Sequence, residues 1–580
     1  MPHIRHFRRP VERDVTRPER DNVTFLWGGL TARHEALITA AMQGLGYRVQ
    51  LLPTPTKADF QTGREYGNNG MCNPAHFTVG ALINFLKSLR DVEGLSTEEI
   101  IRNYAYYTAG SMGPCRFGMY ESEYRLALRN SGFDGFRVLL FQQKGGMKQS
   151  GMESAVDLNA QFGTALLNGV IMGDILNELA YRIRPYEVDP GQTDRVFADI
   201  TARLSDRLRA KSASVFKGRA LARVIAYLLP GPDLETLEPI VDQVVDHYYV
   251  ETLRECVTTL NREIEVDFLR VKPVVKVTGE FWAQTTEGDG NFRLFSFLES
   301  QGAEVLVEPL TSWANYLCDL ALSRLAERRG PSLQAVPGGY WNLAGRTKAA
   351  VAHWRRWLII RLGQAVLNRE YERIRRTLGG AAHLQVSQAE MRRMARPFYD
   401  PRLTGGEGHL EVSKTIYCTL NRWAHMILSV KPFGCLPSTQ SDGAQAAVLA
   451  RFPEINFLSV ETSGEGELNA YSRIQMALTE AKTASRNEFA ASLEKTGYAL
   501  DNIRAYCAEH REFRRPIQPF PQYEGVCGKA ANFVRYVASR MDRAPARRAR
   551  KRDCSTDTCT GLVSAGVRRA RQSQKGTWSA

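Results

Sequence analysis

The chain has 580 residues, 43% of them apolar and 24% charged, which is typical of globular proteins and leaves room for roughly two to four domains. It has no run of about 18 apolar residues, and its start lacks the apolar stretch of a secretory signal. The sequence therefore excludes an obvious membrane-spanning helix or secretion signal and predicts a cytoplasmic protein without a membrane partner.

The net charge of +14 is concentrated at the two ends of the chain. Residues 544–580 hold nine Lys and Arg against two acids, and residues 1–21 hold six Arg against four acids. Arg-rich ends without apolar periodicity predict a disordered leader over 1–21 and a disordered tail over 544–580. Binding of nucleic acid through the tail is the alternative interpretation.

From residue 22 onward the pattern alternates between strands and helices. A strand over 22–27, a helix over 33–45 and a strand over 47–52 imply a parallel sheet with helices on its faces. The same alternation continues to a strand at 136–141, which predicts a first Rossmann-like domain over 22–151. Residues 152–270 place apolar side chains at helical spacing, which indicates a helical domain or insertion.

The alternation resumes at residue 271, with strands predicted at 274–278, 304–307, 426–430 and 455–460. We therefore predict an α/β fold with two Rossmann-like parallel-sheet domains, the second over 271–543, and a site in the cleft between them. The turn at Gly28 and Gly29 is not a GxGxxG fingerprint, so no dinucleotide site is indicated.

Three of the ten cysteines stand in turns rich in glycine and proline, each ahead of a predicted helix: Cys72, Cys115 and Cys435. The scattered spacing of the ten fits a reducing compartment rather than a disulfide scaffold. Four others lie in apolar runs that predict buried, inert thiols, namely Cys256, Cys318, Cys418 and Cys507. Cys527, between Val526 and Gly528, is ambiguous.

Turns of this kind suit the ligands of an iron–sulfur cluster. The N–H groups at a helix N-terminus stabilise anionic sulfur and are expected to lower the thiol pKa. The three thiols are 43 and 320 residues apart, and no C-x2-C pair exists, which argues against structural zinc. Three small apolar thiols packed in tight turns remain the alternative interpretation.

Four motifs in this order resemble the iron–sulfur component of the 2-hydroxyacyl-CoA dehydratase family, most closely its activase-associated branch, over roughly residues 23–541. The motifs are Gly63-Arg64-Glu65-Tyr66 before the Cys72 turn, Gly113-Pro114-Cys115-Arg116-Phe117-Gly118, Gly279-Glu280-Phe281-Trp282 and Pro432-Phe433-Gly434-Cys435-Leu436-Pro437.

This resemblance implies a [4Fe-4S] cluster held by Cys72, Cys115 and Cys435, with Arg116 balancing its charge. It also implies one electron received from a separate ATP-hydrolysing activator of the ASKHA type and passed to an acyl-CoA substrate, in some members with a second dehydratase-like subunit. The chain has no GxxxxGK[ST] motif, so the ATPase is expected to be a partner protein. No substrate base maps onto this sequence through the resemblance.

Two further residues are candidates for proton transfer near the site. His76 follows Cys72 by four positions, and Glu407 lies in a glycine-rich loop. A packed or helix-surface histidine and a solvated acidic loop are the favoured interpretations of these two residues. The alternatives for the whole chain are a non-catalytic electron-transfer or activator-docking subunit, and a nucleic-acid-binding protein that acts through its tail.

Overall fold

The computed structural model describes residues 15–110, 113–142, 159–212, 216–228, 234–328, 342–403 and 405–553. Within these ranges no helix combines the length and the apolar character that crossing a bilayer requires. The molecule is mostly helical and contains two four-stranded sheets, both parallel throughout.

The first sheet has the strand order β2-β1-β3-β4. Its strands are β1 (Thr24–Trp27), β2 (Arg48–Leu51), β3 (Tyr104–Gly110) and β4 (Arg137–Gln142). The helices between them are α1 (Ala32–Gly44), α2 (Lys57–Tyr66), α3 (Asn73–Asp91), α4 (Thr97–Asn103) and α5 (Tyr120–Asn130). Capping boxes begin α2 at Thr56 and α4 at Ser96, so the sequence fixes these helix starts locally.

A block of five helices follows the first sheet: α6 (Ala160–Ile183), α7 (Gln192–Ser212), α8 (Arg219–Leu228), α9 (Leu234–Val245) and α10 (Val250–Glu263). Helix α6 is buried along most of its length and contributes to the largest apolar core. Its Asp174 side chain accepts hydrogen bonds from the backbone N–H groups of Leu310 (2.6 Å) and Thr311 (2.9 Å), and it lies 3.1 Å from His34 Nε2. Asp174 thereby connects the block to α1 and to the second half of the chain.

The second sheet has the order β6-β5-β7-β8, the same pattern as the first. Its strands are β5 (Val274–Gly279), β6 (Glu304–Leu306), β7 (Met426–Pro432) and β8 (Phe457–Thr462). Its associated helices are α11 (Phe281–Thr285), α12 (Leu294–Ser300), α13 (Leu310–Glu327), α14 (Leu343–Thr377), α15 (Gln388–Ala395), α16 (His409–Leu420), α17 (Leu436–Arg451), α18 (Glu467–Glu494), α19 (Leu500–Glu509) and α20 (Lys529–Asp553). Every residue of β5 and β7 is buried, as expected for central strands of a parallel sheet covered on both faces.

The α/β character and the strands predicted from sequence are present. The predicted leader and tail each include residues that have a defined structure, namely 15–21 and 544–553. Val15 is buried against Val23 and Phe25, because its side chain completes the apolar cluster on one face of the first sheet. Helix α20 continues to Asp553, so residues 544–553 are helical rather than disordered. The predicted leader at 1–14 and tail at 554–580 lie outside the described residues.

Candidate functional site

The three candidate thiols occupy equivalent positions, each at the residue that precedes a helix. Cys72 caps α3, Cys435 caps α17, and Cys115 precedes a single turn at Arg116–Met119 that leads into α5. Cys115 and Cys435 also follow the carboxyl ends of β3 and β7, the strands at the centres of the two sheets. Open parallel sheets bind their ligands at such strand ends.

The turns that carry these cysteines touch one another. The backbone N–H of Asn73 donates to the carbonyl of Phe433 at 3.2 Å, and the guanidinium of Arg116 donates to the carbonyl of Gly70. Gly434 has a φ of +77°, and a Cβ there would lie 3.4 Å from Cys72 Cα. The chain therefore brings together turns that are distant in sequence, and the positive φ of Gly434 favours glycine at this contact.

One cavity of about 300 Å³ is lined by Cys72, Cys115 and Cys435 together. Both halves of the chain contribute its aromatic walls, through Trp27, Tyr106, Tyr107, Phe117, Tyr120, Tyr124, Phe281, Trp282 and Trp313. The charged residues of its lining are Arg116 and Glu280. The cavity is therefore largely apolar and only partly enclosed.

The local chemistry of two of the thiols differs from the sequence expectation. Burial raises the pKa of Cys72 and of Cys435, although hydroxyl groups partly offset this effect. The Tyr120 hydroxyl lies 3.0 Å from Cys72 Sγ, and Ser438 Oγ donates to Cys435 Sγ at 3.2 Å. The prediction that helix N-termini would lower these pKa values was wrong, because desolvation in the apolar cavity outweighs the helix termini.

The three cysteines at the cavity are ligands of the type that iron–sulfur clusters use. Among the described residues no group of three His, Cys, Asp or Glu side chains is arranged to hold a metal ion. A single ion draws its thiolates to about 2.3 Å from one centre, whereas each cysteine of a four-iron cluster binds a different iron, with sulfur atoms on the order of 6 to 7 Å apart. Thiolates are the usual ligands of such clusters, and three of them around one cavity match that requirement.

Glu280 is a site residue to which the sequence analysis assigned no role. It lines the cavity, and its carboxylate accepts a hydrogen bond from the N–H of Ala283 at 2.9 Å, capping α11. Burial raises the pKa of Glu280 to about 7. Glu280 directly follows Gly279, the last residue of the buried strand β5, just as the Cys435 turn follows the neighbouring strand β7. This shared position at the carboxyl edge of the sheet could have identified Glu280 as a candidate.

The other sequence candidates occupy different positions. Arg116 lines the cavity and ties the Cys115 turn to the Cys72 turn. His76 is buried away from the cavity lining, with its ring edge-on to Phe60, so packing accounts for it. Glu407 is buried 3.7 Å from Lys414 Nζ, and burial raises its pKa to about 7, so it is not the solvated loop residue of the alternative interpretation.

Cys527 does not line this cavity. Its Sγ lies 3.4 Å from Nδ1 of His425, and its backbone N–H donates to Glu488 at 2.7 Å. Burial raises the pKa of the Cys527 thiol, which keeps it protonated and a poor nucleophile. These contacts fix the start of α20 against α18.

Comparison with known proteins returned no matching family model, no matching curated protein and no matching solved structure.

Proposed function

We propose that this protein is a low-potential redox protein that carries a [4Fe-4S] cluster on Cys72, Cys115 and Cys435. The observation that supports the proposal is the convergence of these three thiols, 43 and 320 residues apart, on one apolar cavity between two parallel sheets. Thiols brought together from three separate helix starts suit a multinuclear centre, because each can bind its own iron.

In this proposal the residues around the thiols have defined roles. A bound cluster would supply a low-potential electron. The N–H groups at the starts of α3 and α17 offset part of the cost that burial places on the thiolate form, and Arg116 adds positive charge at the cavity wall. Glu280 holds or releases a proton at its carboxylate, because a pKa of about 7 leaves both forms populated near neutral pH.

The proposal extends to partners through the resemblance noted in the sequence. We infer Rossmann-like halves, a cytoplasmic location, an ATP-hydrolysing activator as electron donor and an acyl-CoA as electron acceptor. The apolar, aromatic walls of the cavity suit an acyl group better than a charged headgroup.

A second candidate function is an electron-transfer or activator-docking subunit with no substrate of its own. The size of the cavity favours it, because 300 Å³ is at the lower end of about 300 to 1,000 Å³ for small-molecule sites. A cluster would occupy part of that space. Isothermal titration of the anaerobic protein with acyl-CoA separates the two candidates, because only the first predicts saturable binding.

The cluster is tested by anaerobic purification followed by iron and sulfide analysis and electron paramagnetic resonance. We expect about four irons and four sulfides per chain, lost in Cys115→Ser and in Cys435→Ser. Cys256→Ser is the matched control, because that thiol is buried in the helical core away from the cavity. Iron-free parent protein, or equal iron in all four proteins, would refute the proposal.

A further inference from the structure

The first part of α14 exposes a row of large apolar side chains. The helix has 35 residues, and its last part is anchored in the largest core through Leu367, Tyr371 and Ile374. Ahead of that anchor, Val351, Trp354, Leu358 and Leu362 are exposed, with Trp354 at 56%. We refer to these four residues as the α14 stripe.

The stripe is continuous and faces away from the body of the protein. Its members are spaced by three, four and four residues, which places them on one face of a helix with 3.6 residues per turn. His353, Trp357 and Ile360 are less exposed, and helical spacing places them on the opposite face. Helix α14 is therefore apolar on two faces, and the stripe is the more exposed of the two.

The charges around the stripe have one sign. Residues 343–369 contain no Asp or Glu and six basic residues: Arg346, Lys348, Arg355, Arg356, Arg361 and Arg369. Pairing with a second copy would bring these cations together, and the chain's own ends are also net positive. The charge pattern therefore favours an acidic occupant.

We propose that the α14 stripe docks a partner protein that presents an apolar groove or an amphipathic helix flanked by Asp and Glu. Ile359 is also exposed on a neighbouring face, and Arg355 and Arg361 lie among the exposed apolar residues. Helix α14 therefore lacks the separate apolar and charged faces of a membrane-bound helix. Trp and Arg are also the residues most enriched at the centres of protein interfaces. The inference is independent of the cluster proposed above.

The test uses the full-length protein and a labelled synthetic heptad peptide with Leu at positions a and d and Glu at e and g. We expect saturable binding by fluorescence anisotropy, weakened at least about tenfold by Leu358→Glu and weakened by added salt. Met476→Glu is the control, because Met476 is 76% exposed on α18 and its replacement should leave binding unchanged. Circular dichroism of both variants checks that the fold is kept.

Several results would overturn the proposal. These are no binding of the acidic peptide, equal binding of a peptide with Lys at e and g, or unchanged binding by Leu358→Glu. Flotation with phosphatidylglycerol vesicles that Leu358→Glu abolishes would assign the stripe to a membrane surface. A dimer of the parent protein that Leu358→Glu dissociates would assign it to a second copy.

Discussion

At the scale of single residues, Glu280 links the cavity to the stability of the protein. Its side chain lines the cavity, and burial raises its pKa from 4.5 to about 7. Between these two values the folded protein keeps a proton that the unfolded chain has lost. The free energy of unfolding therefore falls as the pH rises through this window, and the full cost of ionisation is present above pH 7.

We predict that Glu280→Gln increases the stability of the iron-free protein at pH 8 and has little effect at pH 4.5. The gain should reach up to about 3 kcal/mol, since each pKa unit corresponds to about 1.4 kcal/mol. Glutamine can still cap α11, because its carbonyl oxygen can accept the hydrogen bond from Ala283. Urea unfolding at several pH values measures the difference, and a gain that does not depend on pH would contradict this account.

The sequence pattern predicted the positions of the three thiols ahead of helices, but it did not predict a role for Glu280. Glycine and proline in the local sequence mark the turns of Cys72, Cys115 and Cys435, so their positions ahead of helices could be predicted. The burial that raises the pKa of Glu280 arises at a cavity lined by residues from both halves of the chain, and no local sequence pattern predicts that assembly. The same limit explains the thiol pKa values, which are set by burial in the assembled cavity.

At the scale of elements, the position of Cys72 depends on the close crossing of α2 and α3. A Cβ at Gly63 would lie 1.9 Å from the carbonyl oxygen of His76, and a Cβ at Gly80 would lie 1.7 Å from that of Asp59. These backbones therefore touch, and a methyl group at either position would push the helices apart. Cys72 is the residue directly before α3, so this crossing helps to set where its sulfur lies.

We predict that Gly80→Ala destabilises the protein by at least about 2 kcal/mol and lowers the iron content of anaerobically purified protein. Gly443→Ala is the matched control, because Gly443 is inside α17 and a Cβ there meets no atom within 4 Å. That substitution should be neutral or should stabilise the protein by about 0.5 to 1 kcal/mol. Equal unfolding midpoints for the two variants in urea would contradict the prediction.

Most elements could be predicted because their determinants are local. Buried strands such as β5 and β7 are short apolar runs, and α1 follows the N-cap Thr31. The end of α20 could not be predicted in this way. The first part of this helix is buried through residues such as Phe533 and Val537. The helix then continues to Asp553 through a charged sequence that has no apolar periodicity to mark it.

At the scale of the whole molecule, Asp174 joins three parts of the chain. It lies on α6 and accepts hydrogen bonds from two backbone N–H groups at the start of α13, and it also lies next to His34 on α1. These groups are buried, so each would lose its partner without reaching water if the carboxylate were removed.

We therefore predict that Asp174→Ala costs about 3 to 5 kcal/mol. The variant should unfold at a lower urea concentration than the parent protein, as followed by circular dichroism. Asp501→Ala on the exposed face of α19 is the control and should change the midpoint little. An Asp174→Ala variant with the same unfolding midpoint as the parent protein would contradict this role.

The parallel sheets explain why the meeting of distant thiols could be anticipated at this scale. Strand ends of one sheet share an edge, and two such edges facing each other enclose a cavity. The exposed α14 stripe could not be anticipated, because its spacing also fits a helix buried on both faces. Whether the stripe is exposed or buried depends on where the neighbouring helices lie, which the local sequence does not specify.

The most direct measurement for the central claim is anomalous X-ray diffraction at the iron edge on crystals grown without oxygen. We predict one compact iron peak inside the cavity, bounded by the sulfur atoms of Cys72, Cys115 and Cys435. A cavity without an anomalous peak in protein that contains iron elsewhere, or a peak bound by other residues, would contradict the account.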